Sequence, residues 1–454
     1  MPNITLHAAE ALLPHGWATD VRLTLRDGRY ATVETGAAPQ PGDERHALLL
    51  PGLPNLHSHA HQRAMAGLAE HRGPSADSFW TWREAMYRLA LAMTPEQLEA
   101  VATLLYVEML EAGFTRVGEF HYLHHDRDGR VHADPAEMAA RLAAAAQRSG
   151  LGLTLLPVFY AHAGFGGTPP GDAQRRFVNG LDGYARLLDA SRAALAGRDG
   201  ALVGVAPHSL RAVTPDELAA VVAMADGAPI HLHVAEQVRE VEDCLAWSGA
   251  RPVQWLLDHA DVDARWCLVH ATHLTDDESR RLAARGAVVG LCPITEANLG
   301  DGIFDAPRFV DAGGRWGIGS DSNVQIGAAD ELRLLEYSQR LARRERNVMA
   351  RGPGSTGRAL FDAALAGGAQ ALGAGRAGLV AGAWADAVSL DLSHPGVDGL
   401  AGNTLLDAWI FTGAPRIDRV WARGRCVVDG GRHRQRDAAE RDFAVAMSAL
   451  RAAS

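Results

Sequence analysis

Between Leu48 and Ile318 the chain repeats one pattern: a short apolar run, mostly bounded by glycine or proline, then an amphipathic stretch. The runs fall at residues 48–50, 114–120, 151–158, 202–206, 230–234, 267–269, 287–291 and 316–318. Apolar runs this short between chain breakers read as buried strands, and the stretches separating them read as helices. Three helix starts are written out as a capping residue followed by an acid or amide: Thr94-Pro95-Glu96-Gln97, Thr214-Pro215-Asp216-Glu217 and Thr275-Asp276-Asp277-Glu278. Eight strands alternating with helices over roughly 300 residues suit an elaborated (β/α)8 barrel, whose usual size is about 250. An open doubly wound sheet satisfies the same count.

The two ends of the chain have another texture. Val21 to Leu25 alternates, Arg26-Asp27-Gly28-Arg29 turns, and Tyr30 to Val33 resumes. After residue 378, Ala385 to Asp391 reads as a strand and Arg419 to Gly430 as a hairpin. We therefore expect residues 1–47 and 379–435 to pair as one small β-sandwich domain beside a barrel of residues 48–378. Residues 436–454 should form a C-terminal helix.

Composition removes several classes of function. With 454 residues, 47% of them hydrophobic, the chain can bury a large core, and no apolar run reaches the length of about 18 needed to cross a bilayer. The N-terminus has no basic segment leading into an apolar one, so a cytoplasmic location is expected. A formal charge of −10 argues against nucleic acid or an anionic membrane as partner. The sequence contains no lysine. That excludes a lysine Schiff base, a lysine-dependent phosphate loop and a lysine-bridged pair of metals. The four cysteines, Cys244, Cys267, Cys292 and Cys426, show no paired spacing and read as buried reduced thiols.

Four segments at expected strand ends carry groups suited to catalysis. His57 and His59, two apart, project to one side and can reach one ion. In His231-Leu232-His233-Val234-Ala235-Glu236 a carboxylate follows a histidine by three residues, where it can shuttle protons beside a metal-activated water. His231 lies a step deeper and reads as a packing group. His270 and Asp321 close two later strands. Each alone has a duller explanation: among 20 histidines pairs arise by chance, and aspartate often caps a turn. Together they fall after expected strands 1, 5, 6 and 8, and in a barrel those ends meet on one rim.

These segments, with Pro51-Gly52-Leu53-Pro54-Asn55-Leu56-His57-Ser58-His59, His233-Val234-Ala235-Glu236, His270 and Gly319-Ser320-Asp321, resemble the amidohydrolase superfamily in its cytosine/adenosine-deaminase-like branch. Residues Asn55 to Leu68 and His231 to Gln237 are similar, more narrowly, to formimidoylglutamate deiminases. The resemblance covers nearly the whole chain. It implies one Zn2+ held by His57, His59, His233 and Asp321, with Glu236, His270 and Asp321 serving the chemistry. The same donors also suit iron or manganese. Where some members carry a bridging lysine after strand 4, this chain has Pro207-His208, which points to one metal. The implied reaction is hydrolytic deamination of a small acidic amidine. Arg83 and Arg211 are the expected clamps for its carboxylates, since a guanidinium forks onto a carboxylate. Gln62, Tyr122 and His208 are further substrate contacts by rim position, and the segment from Asp77 to Arg83 can lid the pocket. The resemblance also implies a homodimer.

Rival readings are deamination of a heterocycle such as guanine, cytosine or an adenosine derivative, for which Trp80 and Trp82 offer stacking surfaces, and a catalytically inactive barrel used for binding or assembly. His121, His124 and His125 follow expected strand 2 in a charged loop, of which His124 to Gly129 reads as a solvated turn. The basic run 340–346 reads as a helix face or loop rim.

Overall fold

The computed structural model of the chain describes residues 4–72 and 79–453. Its first strands are β1 (Ile4–Leu13), β2 (Gly16–Arg26), β3 (Arg29–Glu34) and β4 (Glu44–Pro51), followed by β5 (Leu53–Ser58), β6 (Phe114–His121), β7 (Gly152–Phe159), β8 (Leu202–Val203) and β9 (Ala206–Pro207). The remainder are β10 (Ile230–Val234), β11 (Trp266–His270), β12 (Val288–Leu291), β13 (Arg315–Ile318), β14 (Ala387–Asp391), β15 (Arg416–Ala422), β16 (Arg425–Asp429) and β17 (Arg432–His433).

The chain ends combine in one eight-stranded sheet, ordered β17-β16-β15-β14-β4-β1-β2-β3. The turn at Asp27-Gly28 and the hairpin at Arg423-Gly424 both form as the sequence predicts. The sheet has its own core, in which Leu6, Val21, Leu23, Tyr30, Leu49 and Trp421 are buried. One strand differs from the sequence reading. Leu48 to Leu50 belongs to this sheet, in β4, and the first strand of the parallel system is β5. The segment between Pro51 and Leu53 is too short and too uniformly apolar for periodicity to separate two strands.

The parallel strands form two runs, β5-β6-β7-β8 with β9 also on β7, and β10-β11-β12-β13. Isolated parallel bridges Val205↔Ile230 and Ser209↔His233 join the runs on one side, and Ser58↔Asp321 joins them on the other. The expected fourth strand is split at Gly204, where a Cβ would stand 2.6 Å from the Pro229 carbonyl oxygen. The three helix starts read from sequence form reciprocal capping boxes at Thr94/Gln97, Thr214/Glu217 and Thr275/Glu278. Such a cap typically contributes about 1 kcal/mol. The tail is the helix Arg436–Ala453, and Arg340 to Arg343 lie at the end of the helix Ala328–Arg343.

Candidate active site

Strand ends, not strand bodies, carry the site. β5 delivers His57 and, one residue beyond its end, His59. β10 delivers His233 with Glu236 on the turn that follows, β11 ends in His270, and Asp321 lies just past β13. The backbone there adopts the left-handed region at Ala235, His270, Ala271 and Asp321, with φ of 51°, 65°, 48° and 46°. Non-glycine residues rarely take that conformation, and its concentration here re-aims side chains from successive strands toward one point.

The strand that carries His57 and the segment that carries Asp321 are tied directly to each other. The amides of Ser320 and Asp321 donate to the His57 carbonyl at 3.1 and 3.0 Å, and the His59 amide donates to the Asp321 carbonyl at 2.9 Å. Asn55 Nδ2 donates to Ser320 Oγ at 2.6 Å. Gly319 makes this approach sterically possible, because a Cβ there would lie 2.8 Å from the His57 carbonyl oxygen.

His57, His59, His233 and Asp321 are all buried, and their ligand atoms lie within 4.8 Å of one another. His57 Nε2 stands 3.1 Å from His59 Nε2 and 3.0 Å from His233 Nε2. Asp321 Oδ1 stands 3.4 Å from His57 Nε2 and 3.2 Å from His59 Nε2. Two nitrogens on one tetrahedral zinc are about 3.3 Å apart, given bonds of about 2.0–2.1 Å, so the four groups fit a single divalent ion. Two rings are oriented from behind: His59 Nδ1 bonds the Phe120 carbonyl at 2.9 Å and His233 Nδ1 the His208 carbonyl at 3.0 Å. That leaves each Nε2 lone pair for the centre. Burial pulls the pKa of His57 down to about 3 and holds His233 well below the ordinary imidazole value, which keeps both neutral as metal ligands must be. Asp321 is held far below the usual carboxylate range; burial opposes this, but the surrounding imidazoles of His57, His59 and His270 outweigh it.

Beside this cluster His270 Nε2 lies 3.8 Å from Glu236 Oε1 and 3.7 Å from Asp321 Oδ2. Its Nδ1 bonds Glu296 Oε1 at 3.2 Å. Burial works against a charge on His270, yet Glu236, Glu296 and Asp321 together raise its pKa well above the ordinary value. Burial is the main push on Glu236, raising its pKa to about 7. The arrangement thus holds a proton-bearing imidazole and a carboxyl able to gain or lose its proton near neutrality within reach of the same point. Cys292 approaches His270 and Asp321 as well. Burial raises the pKa of that thiol far above the ordinary value, so it stays neutral.

A pocket with a cavity volume of about 60 Å³ opens over the cluster and is lined by every substrate contact expected from sequence: Gln62, Arg83, Tyr122, His208 and Arg211. Gln62 Nε2 donates to the Tyr122 hydroxyl at 2.7 Å. Phe79, Trp82, Arg83, Met86 and Tyr87 come from the helix Phe79–Ala92, while Asp77 and Ser78 of the expected lid lie outside the described residues.

Sequence reasoning missed the carboxylates behind the site. Glu296 accepts from the Cys292 amide at 2.8 Å while holding His270, and Glu240 accepts from the amides of Ala235 and Glu236 at 3.2 and 3.1 Å. Glu119 accepts from the Ala60 amide at 2.6 Å and the Tyr106 hydroxyl at 3.1 Å. An acid inside the apolar run Phe114 to Phe120 was the available signal for Glu119. Two histidine readings also change. His124 and His125 are buried, together with His121, and only Asp126 to Gly129 make the solvated turn. Their rings bond the Val158 and Val178 carbonyls at 2.9 Å each, so they serve packing. His231 packs as expected, its Nε2 2.8 Å from the Ala371 carbonyl oxygen. All four cysteines are free, and Cys426 is half-buried where full burial was expected.

Residues 48–427 match the model of the amidohydrolase family, and residues 4–47 match that of the N-terminal domain of formimidoylglutamate deiminase HutF. The chain belongs to the amidohydrolase family. Among curated amidohydrolase relatives, a formimidoylglutamate deiminase from Pseudomonas aeruginosa is 52% identical over 449 residues, covering 98% of this chain and 99% of its own length. A crystal structure of an amidohydrolase from Brucella melitensis superposes with a TM-score of 0.97 at 60% identity, covering 98% of this chain and 99% of that one. An adenosine deaminase from Xanthomonas campestris, solved with bound zinc, shares the fold at a TM-score of 0.81 and 23% identity, covering 99% of this chain and 98% of that one. Membership makes the chain a metal-dependent hydrolase of carbon–nitrogen bonds, and the four-residue cluster is its candidate metal site.

Proposed function

We infer that this chain hydrolyses N-formimidoyl-L-glutamate to N-formyl-L-glutamate and ammonia, a step of histidine degradation. The relative that is 52% identical across nearly its whole length carries that deiminase name, and the match to the N-terminal domain agrees. The observation that carries the substrate reading is in the pocket. Arg83 and Arg211 line it, and neither guanidinium has a carboxylate within ion-pair distance among the described residues. Glu240 and Glu236 reach Arg211 only through space, and its Nε is buried without a partner. In a chain of charge −10, a pocket with two free guanidiniums is built for an anion.

We read the parallel strands as a closed (β/α)8 barrel running from β5 to residue 378, with β8 and β9 as one interrupted strand. The bridges at Val205, Ser209 and Ser58 support closure on both sides. The end sheet, residues 4–51 and 379–435, we read as a sandwich: Arg29 bridges Trp384, bringing the β3 edge back against the segment before β14. A cytoplasmic homodimer that binds neither nucleic acid nor membrane completes the reading. The negative charge disfavours nucleic acid and anionic membrane, and no helix among the described residues is long and apolar enough to cross a membrane.

His57, His59, His233 and Asp321 would hold one zinc, their three neutral imidazoles and one carboxylate matching its donor preference. When bound, the ion supplies Lewis acidity, bringing the pKa of water from 15.7 to about 7. The rest of the work falls to the chain. Arg211 and Arg83 bind the two carboxylates of the substrate, which fixes the amidine carbon above the cluster. Water adds to that carbon, and Glu236 carries the proton it gives up to the amidine nitrogen. His270, held by Glu296, donates toward the oxygen as the tetrahedral centre forms, and Asp321 Oδ2 faces the same point. The carbon–nitrogen bond to the terminal amine then breaks. The hydroxyl proton passes through Glu236 to that nitrogen, which leaves as ammonia.

Ammonia release from N-formimidoyl-L-glutamate, with guanine, cytosine and adenosine as controls and metal content measured on the same sample, tests this reading. Turnover of the diacid alone, with about one metal per chain that a chelator removes together with activity, is expected. Preferred turnover of a heterocycle overturns the substrate; full activity in metal-free protein overturns the centre.

A further inference from the structure

Trp80 does not line the pocket, yet three guanidiniums surround it. Arg83 Cζ lies 4.5 Å from the centre of its ring, Arg239 Cζ 4.8 Å and Arg211 Cζ 5.9 Å. The three come from different parts of the fold. Arg83 is one turn along the helix Phe79–Ala92, and Arg211 follows β9. Arg239 stands in the first turn of the helix Val238–Ser248, three residues after Glu236. Arg83 has a second aromatic neighbour, Tyr87, at 5.6 Å. The only acid paired with any of the three among the described residues is Asp243, 3.7 Å from Arg239 Nε on an exposed helix turn.

Like charges gathered this closely repel, and no carboxylate among the described residues pairs directly with Arg83 or Arg211, Glu236 and Glu240 acting on Arg211 only through space. An indole face is the strongest aromatic attractor of cations and prefers guanidinium, so one ring can hold several at positions they would otherwise leave. We propose that Trp80 is a positioning residue for substrate specificity: its indole gathers Arg83 and Arg211 at the spacing needed for a dianion, with Arg239 as an outer cation drawing that dianion toward the mouth. The proposal rests on the acidic-substrate reading above. It also explains why Trp80, unlike Trp82, offers no stacking surface to a heterocycle: arginines already occupy its surroundings.

The test compares wild type, Trp80→Leu, Trp80→Phe and Arg239→Gln on N-formimidoyl-L-glutamate and on an uncharged N-formimidoyl alkylamine. Each guanidinium–indole contact is worth a few-fold in affinity, so Trp80→Leu should raise KM for the diacid about tenfold. Its kcat should stay within about threefold. Trp80→Phe should recover most of the loss, and KM for the uncharged amidine should move less than about twofold. Arg239→Gln should raise KM for the diacid roughly threefold at low salt and match wild type near about 0.5 M salt, where exposed charges are screened. An unchanged KM in Trp80→Leu, or equal rises for both amidines, overturns the proposal. A double-mutant cycle on thermal unfolding between Trp80→Leu and Arg239→Gln needs no substrate. Coupling there in a protein that ignores the diacid would sink the substrate reading and leave the indole–arginine assembly standing. Strict additivity would sink the assembly whatever the turnover.

Discussion

The end sheet and the rim of the parallel strands obey opposite rules. In the sheet, Val21, Leu23 and Leu25 of β2 are buried and alternate with half-buried Arg22 and Thr24, turns carry glycine, and the left-handed residues Asp27 and Arg423 sit at turns. At the rim, charged and imidazole groups are buried, left-handed backbone falls on Ala235, His270 and Asp321, and backbone carbonyls or a carboxylate hold His59, His233 and His270 from behind. The sheet follows local preference, whereas the rim departs from it wherever chemistry requires. Stability and activity should therefore separate between the two regions when each is disturbed.

The largest effect belongs at the rim. Glu236→Gln should cut kcat by roughly 10² to 10⁴, as loss of a proton-transfer group does, while bound metal measured by elemental analysis stays constant. Loss of the metal would instead make Glu236 a ligand. In the sheet, Leu23→Ala should cost roughly 2–5 kcal/mol in chemical denaturation and leave kcat/KM of the folded protein within about twofold. A large catalytic loss there would mean that the two regions are coupled. Arg211→Met should raise KM for the diacid about 10- to 100-fold, the worth of a charged hydrogen bond, and change an uncharged amidine much less.

The smallest effect concerns His46 in β4, whose ring stands edge-on 4.8 Å from Trp421. Burial depresses its pKa to about 4. The unfolded chain therefore takes up this proton first as pH falls, so the stability due to His46 is present above about 6.5 and is lost between about 6.5 and 4. His46→Phe should flatten the decline of Tm across that window by a small amount, because the ring is partly exposed. An unchanged slope would remove His46 as its source.

The same contrast explains what could be read in advance. Strand and helix order, the three capping boxes and the hairpins were legible because they depend on neighbours in sequence. The imidazole and acid cluster was legible because short motifs carry it at strand ends. Glu296, Glu240 and Glu119 were not, since each acts through a backbone amide or ring that only the tertiary fold brings near. Leu48 to Leu50 was assigned to the wrong sheet for a related reason: an apolar strand does not announce its partner. His124 and His125 misled because their polarity suggested water, whereas buried carbonyls satisfy them.

The direct ties between the segment at Asn55–His59 and the segment at Ser320–Asn323 have a temporal consequence. Some 265 residues separate Asn55 from Ser320, so a ribosome has long released the first histidine pair before its acidic counterpart is made. Until that late segment emerges and docks, the nascent polypeptide has no complete cage for an ion. A complete four-residue site thus forms only late in biogenesis, and chains cut short before residue 321 lack its carboxylate.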